Sequence, residues 1–121
     1  MFNSIALVGG THGNETSGIQ LIRNWQQFGL PSRFNELNVS LSIANEAAIA
    51  ANVRFVDEDL NRQFTFERLS DNNSAKEAEL AKALNQTLGP KGDSDTDFVI
   101  DIHNTTSEMG ATLIILEADE F

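Results

Sequence analysis

The stretch VGGTHGNET, Val8–Thr16, closes one apolar run and opens another, and its reading decides the fold. Ahead of it, Ile5–Val8 reads as a short buried strand that ends at Gly9-Gly10. Behind it, Glu15–Phe28 reads as a helix. Ile22, Trp25 and Phe28 recur there at helical spacing beside Gly18 and Ile19, which makes one apolar face. Strand, glycine-rich turn and helix in succession begin an α/β unit. The turn itself carries His12 and Glu15, so it is a phosphate cradle, a metal site, or plain punctuation.

Further along, VSLSIA (Val39–Ala44) alternates like a half-buried strand, and Asn45 can cap the short helix EAAIAA. Asn52–Asn73 is irregular and polar, a long loop of the kind that carries function. Ser74 and Glu77 spell a capping box, S-x-x-E, that opens a second helix. Its stripe is Leu80, Ala81, Leu84 and Leu88, and Gly89-Pro90 stops it after Leu88. After the solvated KGDSD linker come FVIDI (Phe98–Ile102) and TLIIL (Thr112–Leu116), both read as strands. Alternating strands and helices predict a single α/β domain with a largely parallel sheet flanked by helices.

The chain has 121 residues, 40% of them hydrophobic, enough for one modest core. Its formal charge of −10 opposes nucleic acid and anionic lipid as partners, and the eight basic residues are scattered. There is no cysteine, which excludes thiolate metal sites and fits a reducing compartment. The N-terminus lacks a basic n-region, and its apolar run is too short for a signal peptide or a membrane span. A cytoplasmic location is the expectation.

In open α/β sheets ligands bind beyond the carboxyl ends of the strands. His12 and Glu15 follow the first strand and His103 follows FVIDI, so parallel strands would bring all three to one edge. Two histidines and a carboxylate are a known zinc set for hydrolysis, with a position left for water. The same residues have a plainer reading, in which H-x-x-E arises by chance and the histidines merely end strands. Spacing alone leaves both open. The phosphate reading is the weakest. GGTHGNE lacks the lysine and hydroxyl of a P-loop and does not match G-x-G-x-x-G. Glu15 also sets an anion where bare amides are needed.

The loop VRFVDEDLNRQF gathers Arg54, Asp57, Asp59, Asn61 and Arg62. Asp57 and Glu58 read as solvated charges. Asn61 beside Arg62 suits the gripping of a carboxylate. Asp59 can orient a metal-bound imidazole from behind, and Asp101, on the same side of its strand as His103, can do likewise or simply face an edge.

With these residues assembled, the chain resembles the N-terminal part of the aspartoacylase family of zinc-dependent deacylases, which are themselves similar to zinc carboxypeptidases. GGTHGNE, DLNR and DIHNTTSEMG occur in that order, LNQTLGPK adds to the likeness, and the resemblance runs from Ile5 to Leu116. HNTT favours the aspartoacylase and aminoacylase branch over the succinylglutamate desuccinylases. The resemblance implies a partial zinc-carboxypeptidase-like sheet holding one Zn2+ on His12, Glu15 and His103. It makes Arg54 the group that polarises the scissile carbonyl, and Arg54, Asn61 and Arg62 the contacts to an N-acyl amino acid. The implied reaction is hydrolysis of that amide by a zinc-activated water. The leading substrates are N-acetylaspartate, or an N-acetylated aromatic or neutral amino acid.

The family's general base is a glutamate on a later strand, which no motif here matches. Glu108 and Glu117 are the nearest acids, and neither lies in the family's pattern. The expectation is therefore a truncated catalytic domain, inactive or very weak alone. The alternative is a non-catalytic zinc-binding domain, with association between copies through an exposed strand edge as a further possibility.

Overall fold

The computed structural model describes residues 2–108, 110–112 and 114. Among the described residues three parallel strands form the sheet: β1 (Ser4–Gly9), β2 (Asn38–Ile43) and β3 (Phe98–Ile102), in the order β2-β1-β3. The glycine-rich turn thus leaves the central strand. Gly9 is level with Ile43 on one side and Ile102 on the other, so all three chains leave the sheet at one edge. The Asp97 carboxylate accepts from the N–H groups of Asn3, at 2.7 Å, and Ser4, at 2.9 Å, which clamps β3 beside β1 at the opposite edge.

Helix α1 (Thr16–Phe28) covers one face of the sheet with Gly18, Ile19 and Ile22. The contact is backbone-close: a Cβ on Gly9 would lie 2.6 Å from the Gly18 carbonyl oxygen, and one on Gly18 would lie 2.7 Å from that of Ile102. Trp25 continues the apolar face and lines a cavity with Ile5, Leu7 and Val39. Phe28 does not. It is 77% exposed, in the last turn before the helix stops at Gly29.

The other face is covered by α4 (Lys76–Leu88). Val8, Ala44, Leu60 and Ala81 form its buried core, with Leu80, Leu84 and Leu88 packed around them as the helical stripe predicts. Asn45 caps α2 (Glu46–Ala51) as expected, its side-chain oxygen accepting from the Ala48 N–H at 3.1 Å.

Two expectations need correction. The 52–73 loop is not all irregular: it contains a 3-10 turn, Leu60–Arg62, and a short helix, α3 (Phe66–Ser70), capped by Thr65. The Ser74–Glu77 capping box does not form either. Helix α4 begins beyond Ala75, and the N–H of Lys76 donates to Asp57 at 2.9 Å. Glu77 is turned inward and is 1% exposed. The four-residue pattern was right about a helix start and wrong about what the glutamate is for.

The strand expected at Thr112–Leu116 falls largely outside the described residues, as does Glu117. Among the described residues no helix is long and apolar enough to cross a membrane. Among the described residues β3 is the outer strand on its side of the sheet, and its Phe98, Val99 and Ile100 are partly exposed.

Candidate metal centre

The turn after β1 works by close packing as much as by flexibility. Gly10 has a positive φ of 76°, which reverses the chain at the sheet edge. A Cβ on Gly13 would lie 2.1 Å from the Ala48 carbonyl carbon, so only glycine lets the turn rest on α2. The Gly13 N–H also donates to the Arg54 carbonyl at 3.2 Å, joining the turn to the Arg54 loop. Held in this way, His12 is buried and points across the sheet edge.

Glu15 occupies the cap position of α1 but does not cap it. Its carboxylate turns to the histidines instead: Oε1 is 2.7 Å from His12 Nδ1 and Oε2 is 2.9 Å from His103 Nδ1. Asn104 fills the vacated role from the far side. Its Oδ1 accepts from the Ser17 N–H at 3.1 Å, and its own N–H donates to Glu15 Oε2 at 2.8 Å.

Behind each histidine stands a second carboxylate. Asp59 lies 3.1 Å from His12 Nε2, and Asp101 lies 2.7 Å from His103 Nε2. Asp101 is in turn fixed by the Thr11 hydroxyl, which donates to it at 2.8 Å. Asp59 is held by the Asn61 N–H at 3.0 Å and by Arg54 at 3.2 Å. Each imidazole therefore has one nitrogen on a supporting carboxylate and the other on Glu15.

This arrangement tests whether the donors suit a metal. A ring that gives its Nε2–H to Asp59 or Asp101 presents a bare lone pair at Nδ1 to an anionic oxygen. Two such pairs converge on Glu15, and they repel unless a proton or a cation lies between them. His12, Glu15 and His103 each offer a donor atom within 4.8 Å of the others. Imidazoles backed by carboxylates are also the usual support of metal-bound histidine. The residues fit a divalent cation.

The same negative surroundings favour a proton on the imidazole side of the cluster. Hydrogen bonding to Asp101 raises His103 to about 9 against opposing burial, with the Asp101 and Glu15 charges adding to the rise. Burial works to raise Glu15, but the Asn104 N–H and the two histidines outweigh it and hold the carboxyl low. Asp59 is likewise lowered, its burial overcome by His12, the Asn61 N–H and Arg54. The centre is built around positive charge.

Beside it opens a cleft of about 400 Å³, lined by Asn14, Glu15, Arg54, Asn104, Thr105 and Thr106. Arg54 is half-exposed there, 3.9 Å from Glu15. The sequence-predicted residues thus fall into two groups. His12, Glu15, His103, Asp59, Asp101 and Arg54 are brought together. Asn61 and Arg62 sit exposed on the 3-10 turn after Asp59 and do not line the cleft. Asp57 and Glu58 are not idle solvated charges, because Asp57 caps α4 and Glu58 accepts from the Asn73 side chain at 2.9 Å. Sequence reasoning missed Thr11, Asn104 and Glu77. The adjacency of Thr11 and Asn104 to the two histidines was the available signal for the first two.

The model of the Succinylglutamate desuccinylase/Aspartoacylase catalytic domain matches residues 2–120. The chain belongs to this family. Among its relatives, an N-acyl-aromatic-L-amino acid amidohydrolase (carboxylate-forming) of Xenopus laevis is 41% identical over 98% of this chain and 40% of its own length. The aspartoacylase of Xenopus tropicalis is 43% identical over 97% of this chain and 39% of its own length. The crystal structure of murine aminoacylase 3 superimposes with a TM-score of 0.77 at 40% identity, covering 88% of this chain and 36% of that one. A succinylglutamate desuccinylase from Vibrio parahaemolyticus, at 22% identity and a TM-score of 0.66, shares the fold. The aspartoacylase-family chain described here spans about 40% of the length of the curated relatives it matches.

Proposed function

We propose that this chain carries the zinc-binding part of an N-acyl amino acid amidohydrolase, which cleaves its substrate to a carboxylate and a free amino acid. The observation that carries the reading is the doubled carboxylate–imidazole arrangement, Asp59–His12 and Asp101–His103, with both rings closing on Glu15. His12, Glu15 and His103 would hold one zinc ion. Bound there, zinc supplies Lewis acidity and a water acidified toward neutral pH.

The chain's own residues account for the rest of the reading. Asp59 and Asp101 keep Nδ1 of each ring directed at the centre. Arg54 brings a cation into the cleft beside Glu15, where it can hold a substrate oxygen on which negative charge grows. Its partner Asp59 limits its swing, so that oxygen meets a positioned donor. Asn61 and Arg62 would have to approach from the neighbouring turn to grip the amino acid's α-carboxylate. N-acetylaspartate is the leading substrate and N-acetylated aromatic or neutral amino acids the second; one relative is named an aspartoacylase and another an N-acyl-aromatic-L-amino acid amidohydrolase, which supports this choice. A small acylated amino acid in the cytoplasm is then the partner.

One observation favours a second reading, a zinc-binding domain without turnover. Among the described residues lining the cleft the acid is Glu15, already engaged by both histidines, while Glu108 is exposed and outside the lining. General-base help is worth about 10²–10⁴-fold, so this chain alone should turn over slowly or not at all. Acetate release from N-acetylaspartate and N-acetyl-aromatic amino acids, measured on the zinc-loaded whole protein, tests the first reading. No release from any of these with zinc bound would overturn it in favour of the second.

A further inference from the structure

Glu77 is a fully buried carboxylate that the proposed chemistry does not use. Four donors surround it. Oε1 accepts from the Val56 N–H at 2.6 Å and from Asn45 Nδ2 at 3.0 Å; Oε2 accepts from the N–H groups of Asp57, at 2.9 Å, and Glu58, at 3.1 Å. Three consecutive backbone amides on one carboxylate form an anion nest, here filled by the protein itself. The start of α4 returns the bond, since the Lys76 N–H donates to Asp57 at 2.9 Å. The segment is locked in both directions.

That segment is the short arm between Arg54 and Asp59. At one end the Arg54 carbonyl receives the Gly13 N–H, next to His12. At the other, Asp59 reaches His12 Nε2 at 3.1 Å and Arg54 at 3.2 Å. Asn45 ties the same carboxylate to α2, on which Gly13 rests. We propose that Glu77 is a positioning residue: by gripping the amides of Val56, Asp57 and Glu58 it sets Asp59 against His12 and Arg54 beside Glu15. The inference rests on reading His12 as a metal ligand. It adds that the ligand's orientation is set from the start of α4, on the far side of the arm.

The test compares wild type with Glu77→Gln, which puts an amide N–H2 where two N–H groups now donate, and with Glu77→Asp, which keeps the charge on a shorter stem. Ile22→Ala, at a fully buried position on α1 away from the arm, controls for lost stability. Zinc affinity is measured by chelator competition, and the ring 15N shifts of His12 are recorded in metal-free samples. The expected result for Glu77→Gln is about 10-fold weaker zinc binding, the size typical of disturbed ligand support, with a moved His12 Nε2 resonance. Glu77→Asp should fall between, and it decides the question if Glu77→Gln does not fold. Ile22→Ala should move neither readout. In an Asp59→Asn background Glu77→Gln should cost less than about 2-fold further, because coupled residues are not additive. Wild-type zinc affinity and His12 shifts in Glu77→Gln, or an equal loss with and without Asp59→Asn, would overturn the proposal. Wild type that binds no zinc overturns the metal reading instead, and the His12 resonance then decides the role of Glu77.

Discussion

Replacing Glu77 by Gln should destabilise the chain and flatten its response to acid. Burial works to raise the Glu77 carboxyl, but the N–H groups of Val56, Glu58 and Asp57 and the Asn45 side chain outweigh it and hold it at about 2 rather than 4.5. At about 1.4 kcal/mol per pH unit, that preference for the anion contributes about 3 kcal/mol at neutral pH. Counting bonds gives a similar figure. The new amide strands the Asp57 and Glu58 N–H groups, at about 1–3 kcal/mol each. A loss near 3 kcal/mol is large against a typical stability of about 5–15 kcal/mol, and corresponds to roughly 10 °C in Tm. Because the folded carboxyl titrates below the unfolded one, this stability is fully present above about pH 5. It is lost as the pH falls from about 4.5 toward about 2. Urea unfolding followed by the single tryptophan, Trp25, at several pH values between 2 and 7 reads both effects. Wild type should lose about 3 kcal/mol more than Glu77→Gln across that window. Equal acid slopes, or a cost below about 1 kcal/mol at pH 7, would refute the reasoning.

Three further outcomes follow from the same geometry. Asp101→Asn removes the anionic support of His103 and should weaken zinc binding about 10- to 100-fold, read by chelator competition, while leaving the far-ultraviolet spectrum unchanged. Gly13→Ala drives a methyl group into the Ala48 backbone and should cost about 1–3 kcal/mol or more, seen as a lower urea midpoint. Val99→Lys, at an exposed position on β3, which is an outer strand among the described residues, should suppress any concentration-dependent association seen by sedimentation, because a charged edge resists strand pairing.

The fold and the gathering of His12, Glu15 and His103 were legible because each rests on a local pattern. The period-two strands, the 3.6-residue stripe of α4 and the glycines of the turn place His12, Glu15 and His103 at one sheet edge once the strands are parallel. Asp59 and Asp101 could be proposed from sequence because metal-bound imidazoles need carboxylates behind them. Glu77 could not. Its neighbours in sequence make an ordinary helix start, and its role comes from amides about 20 positions away that no side-chain pattern reveals. Phe28 misled for the opposite reason: helical spacing gives the face a residue occupies, not whether a neighbouring element covers it. Asn104 was hidden too, since a helix is ordinarily capped by its own preceding residue and here that residue, Glu15, is diverted to the histidines.

The central claim is that His12, Glu15 and His103 hold one zinc ion. The direct measurement is metal content after zinc loading and exhaustive dialysis, together with zinc-edge absorption spectroscopy, on wild type, His12→Ala and His103→Ala, each verified as folded. The account predicts about one zinc per wild-type chain in a nitrogen- and oxygen-ligated site, and loss of most of that zinc in both variants. A folded wild type that retains no zinc, or variants that retain as much as wild type, would contradict it.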